Sequence, residues 1–369
     1  MTPRREPPES APASASAGER SWGAHDPGTE HAAARFAGVE YAAARPVSVP
    51  GGGTIRFGTA SWTDPTLTRG DVFYPRGVSS AEGRLRFYAE HFAMVEVDST
   101  YYALPARRMT ELWVERTPVA FTFDVKAHAL MTGQPSEVQR LPADLRAALP
   151  AGLAGKSRIY AKDLPAELAD EVWRRFVDAL APLHGAGKLG AVLLQYPRWF
   201  VPSRESRAEL LRARERLGDV PCTVELRNAR WFAGDDGERT LRFLSEHALP
   251  YVMVDEPQGL TSSVPPVTSV TSPRLAVVRF HGRRTDRWER SDVPVAEKYR
   301  YLYDTGELAE WAARLREVAR EAHEVHAVMN NCYANYGTTN AAELAGMMGG
   351  SAGRMQDAGQ GGATLPPDS

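Results

Sequence analysis

Lysine, cysteine and long apolar runs are all scarce in this sequence of 369 residues. Only five of its 44 basic residues are lysines, and alanine and glycine are abundant, so we attribute this bias to genomic base composition. No segment approaches the run of about 18 apolar residues that indicates a membrane-spanning helix. The net charge of −2 argues against a general binder of nucleic acid or membrane surfaces.

The two cysteines and the N-terminus indicate the compartment. Cys222 begins one predicted strand and Cys332 follows the end of another, so they should lie at opposite ends of the fold, and we expect no disulfide. Arg4 and Arg5 are followed by Pro, Ala, Ser and acidic residues rather than an apolar stretch, which does not fit a signal peptide. We therefore expect a cytoplasmic protein.

Composition divides the chain into three parts. Residues 1–53 are rich in Ala, Pro, Ser and Gly and have too few large apolar side chains to bury, which predicts a disordered head. Residues 349–369 have a similar composition and predict a disordered tail. The segment 54–348 between them is expected to fold as one domain.

Strand-like and helix-like segments alternate through this domain. Seven amphipathic segments have helical spacing, at 80–92, 107–116, 166–181, 204–217, 237–248, 306–322 and 339–348. Eight apolar, β-branched segments read as buried strands, namely Ile55–Trp62, Met94–Tyr101, Ala120–Ala127, Leu189–Pro197, Cys222–Arg227, Tyr251–Glu256, Leu275–His281 and Val325–Asn331. Eight such units predict an α/β fold consisting of a single TIM-type (β/α)₈ barrel.

Two irregularities interrupt the predicted barrel. The segment 257–274 is rich in Ser, Thr and Pro and has no helical period, so the sixth βα unit should lack a helix. A long loop follows the third strand, from residue 128 to 165. It leaves the end of the barrel at which active sites lie, and it could act as a lid.

Charged and polar residues gather near the ends of these strands. Because alternate side chains of a strand face the barrel interior, residues of one parity should converge at its carboxyl-terminal mouth. This set is Glu96, Asp98, Lys126, Gln195, Glu225, Arg227, Asp255, Arg279, His281 and Asn331. Trp62, Tyr101 and Tyr299 are the aromatic residues most suited to contact a ligand there. A closed salt-bridge network with no ligand would explain the same charges.

Several segments identify a family. Phe57–Trp62, Leu85–Phe92, Val95–Tyr102, Phe121–Ala127, Val224–Asn228, Val254–Pro257 and Arg279–Arg283 resemble, in order and spacing, the YecE-like proteins called domain of unknown function 72. The resemblance covers about residues 54–348 and implies a TIM-type barrel without an assigned activity. Asp98 stands where family members often have Asn, and Leu226 stands where Phe is usual.

The residues at the predicted mouth suit binding of an anionic or polyhydroxylated small molecule, with metal-independent acid/base catalysis. Glu96 and Glu225 would form the acid/base pair, and Lys126 would act with the arginines to stabilise charge. Arg227, Arg279 and His281 would hold a carboxylate or phosphate. A retaining glycosidase is disfavoured, because the ends of strands four and seven carry Gln195 and Arg279 rather than two carboxylates.

Other functions remain open at this point. A Mg²⁺- or Mn²⁺-dependent phosphodiester hydrolase or nucleic-acid-binding barrel is the main alternative, although only two of nine histidines, His128 and His281, should lie near the mouth. A Schiff base on Lys126 is disfavoured because nearby carboxylates would raise its pKa. A non-catalytic binding or scaffold protein is also possible. No resident cofactor is expected, because nucleotide-binding, redox and serine-hydrolase motifs are absent. The sequence does not indicate the oligomeric state.

Overall fold

The computed structural model describes residues 27–69, 71–260 and 262–349. Its strands are β1 Val47–Ser48, β2 Thr54–Thr59, β3 Met94–Val97, β4 Thr122–Lys126, β5 Ser136–Glu137, β6 Arg158–Ile159, β7 Leu189–Tyr196, β8 Cys222–Leu226, β9 Val252–Asp255, β10 Leu275–Phe280 and β11 Glu324–Met329. Its α-helices are α1 Pro27–Ala37, α2 Ala81–His91, α3 Arg107–Glu115, α4 Ala143–Ala147, α5 Ala151–Ala154, α6 Ala166–Gly185, α7 Arg204–Leu217, α8 Asp235–Glu246, α9 Thr285–Trp288, α10 Val295–Lys298, α11 Thr305–Glu321 and α12 Tyr336–Met347.

Parallel pairing dominates a mixed α/β fold. One sheet has the order β1-β2-β11-β10-β9 and the other has the order β3-β4-β7-β8, with only the short β1 antiparallel to its neighbour. Two isolated parallel bridges, Ala60 with Glu96 and Val224 with Tyr251, connect the edges of these sheets. All eight predicted strands are present, as β2, β3, β4 and β7–β11, and so are the seven predicted helices.

Local sequence signals explain where the helices begin and which side they bury. In α11, the Asp304 side chain accepts from the Glu307 backbone N–H while the Glu307 side chain accepts from the Asp304 N–H. Such a capping box satisfies two otherwise unpaired donors and is worth about 1 kcal/mol. Leu308, Trp311 and Leu315 recur at helical spacing and are fully buried, so this face packs onto the sheet.

The segments that follow the third and sixth predicted strands differ in their content of regular structure. Between β9 and β10, the described residues contain no helix or strand, as the sequence predicts. The segment 128–165, predicted as a loop, instead holds α4, α5, short 3₁₀ turns and a two-stranded β5–β6 ribbon. It folds because its leucines and valines reach the core, where Val138, Leu141, Leu145, Leu149 and Leu153 are buried.

The head is ordered where the structure describes it, so the prediction of disorder is wrong for residues 27–53. Helix α1 lies on α12, and Arg35 donates from Nε and Nη2 to both Glu343 carboxylate oxygens at 2.6 Å. Ala32 is buried against Tyr333 and Tyr336. Alanines suffice to seat this helix closely, so large apolar residues are not required. Residues 1–26 and 350–369, which include the tail prediction, lie outside the described residues.

Two further expectations concern the cysteines and membranes. Cys222 and Cys332 are both free thiols, as expected from their positions at opposite ends of the strands. Within the described ranges, no helix combines the length and the apolar character needed to cross a bilayer.

Candidate functional site

An arginine fully enclosed by protein joins the two sheets at the carboxyl ends of their strands. Arg279 of β10 donates from Nε and Nη2 to both carboxylate oxygens of Glu96 on β3, at 2.8 and 2.7 Å. Its Nη1 donates to Glu225 Oε2 on β8 at 2.6 Å. Each of these side chains is at most 2% exposed. One guanidinium therefore neutralises two buried carboxylates. All three residues belong to the set that strand alternation predicts to converge at the mouth.

The second oxygen of Glu225 connects this pair to the outside. Glu225 Oε1 accepts from Gln195 Nε2 at 2.9 Å and from Arg227 Nη1 at 3.0 Å. The Arg227 side chain is 19% exposed, whereas that of Glu225 is inaccessible. Arg227 therefore extends the network of ion pairs from the buried Glu225 towards solvent.

The two carboxylates have opposite pKa shifts. Burial acts to raise the pKa of Glu225, but Arg279, His281 and Arg227 outweigh it and hold that pKa well below its usual range. Burial raises the pKa of Glu96, against the opposing effects of Arg279 and Lys126. A pair whose pKa values diverge in this way has the usual arrangement of a base beside an acid.

Lys126 lies beside this network without joining it. Among the described residues, its ammonium group has no hydrogen-bond partner and no carboxylate within 4.0 Å. Its Nζ lies 4.7 Å from the centroid of the Tyr101 ring, and the Tyr101 hydroxyl donates to Gln134 Oε1 at 2.9 Å. Burial, followed by the charge of Arg279, lowers the pKa of Lys126 to about 8. The nearby carboxylates raise this pKa, as the sequence suggested, but burial and the charge of Arg279 outweigh them.

Asp98 is placed next to Lys126. It follows Val97, which pairs with Val125 in the parallel register of β3 and β4. Burial raises the pKa of Asp98, against the charge of Lys126. The two predicted residues therefore share one side of the site as a carboxyl group and an amine.

His281 is a fully buried, neutral imidazole. Burial lowers its pKa to about 3, although a hydrogen bond with Glu225 opposes the shift. Its Nε2 lies 3.1 Å from Arg227 Nη1, and its Nδ1 lies 2.8 Å from Asn330 Nδ2. The imidazole therefore lies between Arg227 and Asn330, and its predicted contact with a carboxylate or phosphate stays a prediction.

The acidic residue that β9 contributes is Glu256 rather than the predicted Asp255. Asp255 faces the helices, where it accepts from Arg283 at 2.7 Å, Tyr303 at 2.9 Å and the indole N–H of Trp311. Glu256, one residue later, points inward, and its Oε2 lies 3.4 Å from Arg227 Nη2. Because the two acidic residues are adjacent, only the pairing register of β9 with β10 distinguishes the one that points inward.

Asn331 and Trp62 also face away from this cluster. Asn331 is fully buried and donates to the Tyr301 carbonyl at 2.8 Å and to Asn340 on α12 at 2.9 Å. Trp62 packs edge-on against Trp113, with a centroid separation of 5.7 Å, in the layer between sheet and helices. Neither placement supports the predicted contact with a ligand.

A cleft of about 460 Å³ opens next to the network. Predicted residues Gln195, Arg227 and Tyr299 line it. The sequence did not single out Arg198 or Lys298 as further cations of its wall, and it ranked Trp288 below other aromatics. The Arg227 guanidinium lies 5.3 Å from the Trp288 ring centroid, so an aromatic surface holds it from one side. A cation-rich, aromatic wall favours an anionic or polyhydroxylated ligand.

The donor groups do not form an evident metal centre. No group of three or more His, Cys, Asp or Glu side chains within the described part of the chain is placed to hold a metal ion. Glu96 and Glu225 both accept from Arg279, so a divalent cation binding between them would have to displace this guanidinium.

Comparison with known proteins identifies a family without assigned chemistry. The model of the family described as "Protein of unknown function DUF72" matches residues 56–363. The UPF0759 protein YunF of Bacillus subtilis (strain 168) is 32% identical over 280 residues, which are 75% of this chain and 88% of YunF. The UPF0759 protein YecE of Escherichia coli (strain K12) is 29% identical over 202 residues, which cover 54% of this chain and 59% of YecE.

Two solved structures have a similar fold. A DUF72 family protein of Enterococcus faecalis V583 superposes with a TM-score of 0.62 at 29% identity, covering 80% of this chain and 98% of its own. A DUF72 family protein of Thermotoga maritima MSB8 gives a TM-score of 0.62 at 26% identity, covering 80% and 99%. The resemblance inferred from the sequence motifs is thereby confirmed.

Proposed function

The chain belongs to the DUF72 family, and from its own residues we propose that it binds an anionic or polyhydroxylated small molecule at the carboxyl ends of its strands and acts on it by metal-independent acid/base catalysis. The observation that carries the proposal is the buried Glu96–Arg279–Glu225 network beside Lys126, which has no ionic partner among the residues that the structure describes. A network serving stability alone would be expected to use its nearby cation.

The proposal includes a TIM-type barrel as the scaffold. The two parallel sheets are bridged at both pairs of edges, by Ala60 with Glu96 and by Val224 with Tyr251. Arg279 in one sheet contacts carboxylates of the other, which is the arrangement expected across a barrel interior. In such a barrel, the carboxyl ends of the strands form the active-site face.

Recognition and proton transfer would use different residues. Arg198, Arg227 and Lys298 line the cleft and would attract a phosphate or carboxylate, while Trp288 and Tyr299 would contact the rest of the ligand. Glu225 would remain ionised, and Glu96, with its raised pKa, would exchange a proton with the ligand. No resident cofactor is part of this proposal. The free thiols suit a reducing compartment, and the proposal places this chemistry in the cytoplasm.

A thermal-shift experiment tests ligand binding. Full-length protein is heated with inorganic phosphate, citrate, glucose 6-phosphate, glucose, or an oligonucleotide with and without Mg²⁺. A ligand at about 100 times its Kd stabilises the folded state by about 2.7 kcal/mol, or roughly 5 °C for a domain of this size. We expect one of the anionic small molecules to produce such a shift.

Matched variants make the result specific to the cleft. Arg227→Gln removes a cation of the cleft, whereas Arg212→Gln removes an exposed one that pairs with Glu209 on α7. The shift should be lost in Arg227→Gln and retained in Arg212→Gln. Equal shifts in both variants, or none in the wild type, would refute the proposal. Stabilisation that requires oligonucleotide and Mg²⁺ together would favour a phosphodiester hydrolase instead.

A further inference from the structure

We propose that Lys126 forms a Schiff base with an anionic aldehyde or ketone held in the cleft. This inference rests on the proposed function and narrows its ligands to carbonyl compounds. It concerns a covalent step, so it can fail while anion binding at the same site remains correct.

The bonding of Lys126 differs from that of a structural lysine. Lys188, which is buried, donates to the Val114 carbonyl at 2.8 Å and to the Thr117 carbonyl at 2.7 Å, and these bonds account for its position. Among the described residues, Lys126 Nζ has no such acceptor and no ion pair. Its one polar contact is the face of the Tyr101 ring. An amine without acceptors is free to form a bond to a ligand.

Lys126 is also joined to the cleft. The Tyr101 hydroxyl that lies beyond its ring contact donates to Gln134 Oε1, and Gln134 Nε2 donates to the Gln195 carbonyl at 3.0 Å. Both glutamines line the cleft. Lys126 itself does not line the cleft, so a ligand anchored by Arg227 would have to extend past Gln134 and Tyr101 to reach the amine.

The amine is also prepared for nucleophilic attack. A lysine reacts with a carbonyl group only when it is neutral. With a pKa of about 8, about a quarter of Lys126 would be neutral at pH 7.5, against about one in a thousand for a lysine at the ordinary value of 10.5. Arg279 favours this state because its charge opposes a further positive charge.

The step balances without an oxidant or reductant. Neutral Lys126 Nζ forms a bond to the carbonyl carbon, and one amine proton passes to the carbonyl oxygen to give a carbinolamine. The C–O bond then breaks as the hydroxyl takes a proton from a carboxyl group and leaves as water. Asp98, beside Lys126 and with a raised pKa, is the donor, and the products are an iminium ion, a carboxylate and water.

Borohydride trapping tests the proposal directly. Full-length protein is incubated separately with pyruvate, glyoxylate and dihydroxyacetone phosphate at about pH 7.5, reduced with sodium borohydride, and analysed by intact mass and peptide mapping. The chain has only five lysines, so assignment is direct. We expect the adduct at Lys126, in at least about tenfold excess over any other lysine.

Controls separate reactivity from folding and from binding. Lys126→Arg keeps the positive charge and should abolish the adduct. Lys156→Arg, at an exposed lysine that does not line the cleft, should retain it. Circular dichroism verifies that both variants are folded. The yield of adduct should rise with a midpoint near the pKa of Lys126 as pH increases.

Two outcomes would overturn the inference. One is the absence of a Lys126 adduct with all three compounds, and the other is labelling of Lys298 to the same extent as Lys126. Thermal shifts measured with the same compounds distinguish the two proposals: stabilisation without trapping would refute the Schiff base alone, whereas the absence of both would refute the binding site as well.

Discussion

Replacing Arg279 by methionine tests whether the central guanidinium holds the fold together by charge. Methionine retains most of the aliphatic length but removes the three donors that reach Glu96 and Glu225 at 2.6–2.8 Å. Glu96 is then left buried without a counter-ion, and Glu225 keeps only Arg227. The stability of the variant should therefore depend on whether they can take up protons.

The magnitude follows from burial. Breaking a buried ion pair by removing one partner costs about 3–5 kcal/mol, and Arg279 serves two carboxylates that are at most 1% exposed. We expect a loss of about 4 kcal/mol at neutral pH, a large fraction of the 5–15 kcal/mol or so that stabilises a typical domain. The loss is greatest where both carboxylates must be ionised.

The loss of stability in Arg279→Met should depend on pH in a definite direction. In the wild type, the lowered pKa of Glu225 means that its contribution is present above about pH 4.5 and is lost only as pH falls below that value. In the variant, burial without Arg279 raises the pKa of both carboxyl groups, so ionisation on going from about pH 5 to about pH 8 costs stability. The difference between variant and wild type should therefore widen with rising pH.

Urea unfolding followed by circular dichroism at these two pH values measures the effect. Arg212→Met is the control, because Arg212 is 56% exposed and its pairing with Glu209 should contribute less than about 1 kcal/mol. A loss below about 1 kcal/mol for Arg279→Met would refute the reasoning. So would a loss that is the same at both pH values.

Three further predictions concern stability away from the cleft. Burial lowers the pKa of His326, but Asp124 and its neighbours outweigh burial and raise this pKa to about 9. The ionised histidine should therefore contribute about 3 kcal/mol to the free energy of unfolding below about pH 6.5, and this contribution should be lost as pH rises through 9. His326→Gln should remove this pH dependence of stability in urea unfolding, and an unchanged dependence would contradict the prediction. Asp255→Asn should lower the free energy of unfolding by about 2 kcal/mol and leave any anion-induced thermal shift unchanged. Loss of that shift would mean that Asp255 contributes to ligand binding. Arg35→Gln should destabilise by about 1 kcal/mol by unpairing Glu343, as read from the thermal midpoint, and no change would mean that α1 adds nothing to the fold.

The periodicity of the sequence was sufficient to predict the strands on which the site residues lie. The apolar runs of β3, β8 and β10 identify these strands, and alternation along them places Glu96, Glu225 and Arg279 on one side. Their mutual contact follows because carboxyl ends of parallel strands lie at the same edge. The absence of a helix after β9 was also predictable, because the Ser-, Thr- and Pro-rich segment 257–274 has no helical spacing of apolar residues.

Parity errors account for most of the wrong placements. Asp255 and Glu256 are adjacent acidic residues, and Asn330 and Asn331 are adjacent asparagines, so composition cannot distinguish the inward member of either pair. Only the pairing register of β9 and β11 with β10 decides that Glu256 and Asn330 face Arg227 and His281.

The sequence by itself determined the order of strands and helices, the family, and the types of side chain available at the strand ends, because these depend on local periodicity and on residue identity. Tertiary structure decided which charges neutralise one another. Within the described part of the chain, Arg279 pairs with two carboxylates while Lys126 pairs with none, a difference set by distances between strands far apart in the sequence. Burial and the charge of Arg279 lower the pKa of Lys126 to about 8, and the second of these depends on a strand that is far away in the sequence.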